Sequence, residues 1–113
     1  MTAPVYFCSG ASAPADLRGL ARIRHPLGVS IPKLSGPAID FLCSLQCVDV
    51  FVDSGVFSEV DRRGAVVAPI TDDEWITRTG VMHRIAAALG PRAMIVAPDR
   101  VGDQQETLRR LAL

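Results

Sequence analysis

Two apolar runs that each end in an aspartate and each lead toward a helix constrain this chain more than any other feature. VDVFVDSG, residues 48–55, reaches Asp53, and RAMIVAPD, residues 92–99, reaches Asp99. Runs of β-branched and aromatic side chains closed by Gly, Ser or Pro read as buried strands. Between them lies the sharpest helix signal in the chain. Thr71 is followed three residues later by Glu74, the spacing at which hydroxyl and carboxylate each satisfy an orphan amide, and Asp72 and Asp73 suit the positive end of a helix dipole. Gly90 and Pro91 supply the stop, so a helix is predicted from Asp72 to Leu89, with Ile76, Gly80, Val81, Arg84, Ile85 and Leu89 as its inner face. Asp103 and Glu106 repeat the cap-and-box spacing, which opens a second helix in DQQETLRRLAL. Strand, Asp, helix, strand, Asp, helix is the alternation of parallel strands with crossover helices. The expectation is an α/β fold with Asp53 and Asp99 on one rim, because parallel strands end on the same side.

Upstream, VYFCSG (residues 5–10) reads as a further short strand. Residues 11–37, rich in Gly and Pro, predict a long connection with at most one helical turn around ADLRGLARI. Within it His25, beside Arg22 and Arg24, offers either a phosphate contact or a solvated loop. Residues 37–47 predict a short buried helix with Pro37 at its start, and GAVVAP (residues 64–69) is either a strand or an extended loop. His83 reads as a surface residue, Trp75 as packing and Asp103 as a cap.

At 113 residues the chain is one domain, with an apolar share of 49% that suits a packed core. Twelve basic residues balance twelve acidic ones. That balance excludes a chain-wide positive field, so any nucleic-acid contact must come from a local patch or from outside this chain. No membrane span or export signal is read, and three cysteines fit reduced thiols in a cytoplasmic protein. Cys43 and Cys47 share a helical spacing but lack the third and fourth ligands that zinc requires.

A pair of rim carboxylates can serve as acid and base, or accept the N–H groups of a nucleobase. VFVDSGVFSEV resembles the DSGGF segment of the tRNA-guanine transglycosylase superfamily, and MIVAPDRVGDQQETL resembles its next aspartate-bearing strand end. Ser58-Glu59, Pro98-Asp99, Gly102-Asp103 and Thr107-Leu108 are most similar to the branch that inserts 7-deazapurines into DNA. The resemblance spans roughly residues 45–113. It implies part of a (β/α) TIM barrel that exchanges a base on DNA or tRNA, with Asp53 as general acid/base at the bound guanine or 7-deazaguanine. It further implies that Phe57 stacks on the heterocycle, that Asp99 accepts from its amino edge, and that Ser54 and Gly55 let the backbone approach closely. Val56 stands where the family has a second glycine, which implies a differently shaped loop or a partly filled pocket.

A complete barrel of this kind needs about 250 residues, so the chain reads as the N-terminal portion of a larger barrel. The nucleophilic aspartate and the zinc cluster implied by the family belong to a later half, and this chain carries no cofactor site of its own. A second chain or a homo-oligomer would complete the barrel. Two rival readings stand beside this one. VFVDSGVF is also similar to the opening of PIN-type metal-dependent nucleases, although DRRGAVVAP interrupts what should then be a helix. A non-catalytic half-barrel acting through a partner would instead keep both aspartates as structural caps and expose a sheet edge.

Overall fold

The computed structural model describes residues 6–46, 48–96 and 103–113. Three strands, β1 (Leu27–Ser30), β2 (Val50–Asp53) and β3 (Ala93–Ile95), form a parallel sheet in sequential order. Four helices alternate with them: α1 (Pro14–Arg22), α2 (Gly36–Cys43), α3 (Asp72–Leu89) and α4 (Gln104–Leu111). A one-residue parallel bridge from Cys8 to Leu27 extends the ladder beyond β1. The fold is therefore mixed α/β with parallel strands, as the alternation implies, and the sheet is open.

Local chemistry accounts for the elements. The Ser35 hydroxyl accepts the Ala38 amide at the start of α2, Thr71 accepts that of Glu74 at α3, and Asp103 accepts that of Glu106 at α4. Both α3 and α4 begin where the capping chemistry puts them. The connection over residues 11–37 holds more than expected, since α1 runs for nine residues and β1 follows it. LGVS is short, contains a glycine and lies close to Pro26 and Pro32, so no periodic signal survives for it. Of the predicted strand at residues 5–10, the described part shows the single bridge at Cys8. GAVVAP is an exposed loop carrying one antiparallel bridge between Val60 and Val66.

The inner face of α3 is rotated from the one expected. Trp75, Arg78, Met82, Ile85 and Leu89 are buried, whereas Ile76, Gly80 and Arg84 are exposed. Arg78 is drawn inward by backbone carbonyls that a count of apolar positions does not register.

Strand residues alternate between faces, and the two faces here differ. Leu27, Val29, Val50 and Val52 pack with Leu17 of α1, Ala38 and Leu42 of α2, and Met82, Ile85 and Leu89 of α3. Each fully buried aliphatic side chain contributes about 1.5–3 kcal/mol. On the opposite face Gly28, Phe51 and Met94 lie in register across the three strands, with Ser30 beside Asp53 one step nearer the carboxyl ends. Phe7 and Phe51 meet beside Gly28, their ring centroids 5.7 Å apart, and a Cβ at Gly28 would stand in ordinary contact with the Phe7 and Ser9 Cβ atoms. Among the described residues no helix covers this second face.

Candidate functional site

The carboxyl ends of β1 and β2 open onto a cavity of about 500 Å³ on the uncovered face. Three loops enclose it: residues 9–12 before α1, the turn after β1 with Pro32 and Lys33, and residues 53–58 after β2. Asp53 and Ser30, paired in register, stand at its base. This is the rim where parallel α/β folds bind ligands.

The DSG segment is built to hold a fixed shape. One Asp53 carboxylate oxygen accepts the Gly55 amide at 3.1 Å, closing an Asx turn. Gly55 has φ +80°, and a Cβ there would lie 2.4 Å from Pro32 Cγ, so no other residue fits this contact unchanged. Arg78 Nη1 donates to the Ser54 carbonyl at 3.0 Å and to the Gly55 carbonyl at 3.3 Å, while its Nε pairs with Glu74. The chain then makes a 3-10 turn over Val56–Glu59. Its second residue, Phe57, is 69% exposed and lines the cavity. The aspartate at the mouth of the strand is thus both a turn former and a wall of the cavity.

Behind the loop, Glu59 is buried and receives both terminal nitrogens of Arg110 from α4, as well as the Ile70 amide at 2.7 Å. Two guanidinium groups approach the Trp75 ring, that of Arg110 at 4.6 Å and that of Arg78 at 5.6 Å from its centroid. Burial opposes the Arg110 charge, but its hydrogen bonds to Glu59 and Glu106, with their negative charge, outweigh it and raise the Arg110 pKa above its ordinary value.

Of the residues singled out in the sequence, Asp53, Gly55 and Phe57 come together on one cavity. Ser54 does not line it; its side chain is fully buried and its hydroxyl has no hydrogen-bond partner among the described residues. Asp99 lies outside the described residues, as does Cys47. His25, held against the Pro26 carbonyl, sits with Arg22 and Arg24 before β1, on the rim opposite the cavity. Sequence reasoning missed Ser30, Pro32 and Lys33, which depend on an unread strand, and it missed the buried Glu59–Arg110 and Arg78 contacts. Arg78 carries one legible signal, Glu74 four residues earlier.

Among the described residues, no group of three or more His, Cys, Asp or Glu side chains could hold a metal ion. Asp53 is the one carboxylate among the described residues that line the cavity. No family model, curated protein or solved structure matches the chain. No helix among the described residues is long and apolar enough to cross a membrane.

Proposed function

We propose that the rim cavity binds a guanine-type base, guanine or a 7-deazaguanine, as the base-binding part of a transglycosylase-like barrel that exchanges bases on DNA or tRNA. The observation that carries this reading is the convergence of Asp53, the Gly55 backbone and an exposed Phe57 on one cavity of about 500 Å³. A purine offers a flat apolar face and a polar edge. Phe57 supplies a stacking surface, and the Asp53 carboxylate supplies an acceptor for ring or exocyclic N–H groups. One Asp53 oxygen is engaged by the Gly55 amide, and the carboxylate keeps a second oxygen that can accept from a ligand or take and return a proton at a ring nitrogen.

The sequential parallel strands with helices against one face are consistent with a segment of a (β/α) barrel. Asp53 is the one carboxylate among the described residues that line the cavity, so no nucleophile for the exchange is assigned to it. Binding, orientation and proton handling at the base are the steps left to these residues.

Calorimetry with guanine and 7-deazaguanine tests the reading on the parent, Asp53→Asn and Asp99→Asn. Asn retains an acceptor for the Gly55 amide, so the turn survives while the charge is removed. Binding by the parent and weakening of about tenfold or more in Asp53→Asn is the expected result, since hydrogen bonds to charged groups contribute about 1.5–3 kcal/mol. A folded parent that binds neither base overturns it.

A further inference from the structure

We propose that the uncovered face of the sheet takes a second copy of this chain, so that two four-segment sheets close into one eight-stranded ring. Parallel sheets are almost always covered on both faces. Here the core helices lie on one face, and the other presents Phe7, Phe51 and Met94, with Met94 55% exposed.

Both edges of the ladder suit a like partner. The Val96 amide donates to the Val52 carbonyl, and because strand residues alternate, the Ile95 amide points away from β2. At the other edge Cys8 bonds to Pro26 and Gly28, which turns the Phe7 and Ser9 amides outward. All segments run in the same direction, so β3 of one copy can pair in parallel with residues 7–9 of the other. A twofold axis along the strands then satisfies both edges of each copy. Eight is also the strand number at which side chains fill a barrel's interior.

The areas agree with this. The accessible surface is 7077 Å², whereas a compact chain of 12.1 kDa exposes about 6000 Å². The radius of gyration is 14.7 Å, against about 13 Å for a compact domain of this length. The excess of about 1000 Å² is close to the roughly 800 Å² that each partner contributes to a standard stable interface.

Sedimentation of the 113-residue chain across the micromolar range tests the inference. The expected species has twice the 12.1 kDa monomer mass. Met94→Glu should convert it to a monomer with an unchanged far-ultraviolet circular dichroism spectrum. Should that variant fail to fold, hydrogen exchange on the parent decides. The Ile95 amide must be protected in the dimer and lose protection on dilution. A folded parent that is monomeric at every concentration overturns the inference, and so does a dimer whose Ile95 amide exchanges freely. A dimer that binds no purine supports it while sinking the base-binding reading, so the two stand or fall separately.

Discussion

Arg110, near the end of α4, is paired with Glu59, 51 positions earlier, and both side chains are fully buried. Through that one carboxylate the fold ties α4, the end of the 3-10 turn bearing Phe57 and the amide of Ile70 together. A buried pair of this kind is weak as a source of net stability, but breaking it from one side leaves a charge without compensation. Its effect here is to fix where residues 56–59 lie.

Arg110→Met should therefore destabilise the chain by about 3–5 kcal/mol, and Glu59→Gln/Arg110→Met by much less, because the double variant buries no lone charge. Urea unfolding of the single and double variants measures the difference. An Arg110→Met protein as stable as its parent would mean that the pair does not hold α4 in solution.

Gly55→Ala should cost more than the roughly 1–3 kcal/mol of left-handed strain alone, since the new methyl would also meet the Pro32 ring. Adding Pro32→Ala should recover the steric share and leave the strain. Denaturant midpoints of the single and double variants check both halves of that claim. Equal costs in the two backgrounds would remove Pro32 from the account.

How much of this was legible in the sequence follows from the range of each interaction. The caps at Thr71 and Asp103 act over three residues and so can be read directly, as can β2 and the Asx turn at Asp53. The rotation of α3 could not be read, because Arg78 is held by carbonyls 23 and 24 positions away. Nor could the Glu59–Arg110 pair, for the same reason. β1 is hidden by its own composition: it is four residues long, and Gly28 interrupts the apolar run that would mark the strand. Without β1 the places of Ser30, Pro32 and Lys33 on the cavity wall are not legible, whereas Asp53, Gly55 and Phe57 can be read from their own segment.

Asp72 gives a pH dependence with a definite sign. Hydrogen bonds from Arg109, at 2.7 and 2.9 Å, hold its carboxyl below the ordinary value. A lowered folded-state pKa contributes stability that is fully present above the ordinary value of about 3.9 and is lost as pH falls through the lowered one. Arg109→Gln should accordingly be less stable than the parent at neutral pH, with the gap closing in acid. Because the pair is exposed, salt should also narrow the gap. Thermal unfolding from neutral pH into acid, at low and high salt, tests this. A gap that stays constant with pH would assign the effect to helix packing.

Phe57 separates fold from function most cleanly. At 69% exposure it buries little, so Phe57→Ala should change unfolding stability by no more than about 0.5 kcal/mol. If its ring is the surface on which a purine stacks, the same substitution removes about 1–3 kcal/mol of binding, a loss of roughly five- to 150-fold in affinity. Phe57→Tyr keeps the flat ring and should bind nearly as well as the parent. Calorimetry and urea unfolding on the same three proteins decide the matter. An Ala variant that is stable but weakened in binding, rescued by Tyr, supports the stacking role. Unchanged affinity in the Ala variant removes that role, because the exposed ring would then have no part in holding the base. A matching loss of stability and binding would assign Phe57 to packing of the 3-10 turn.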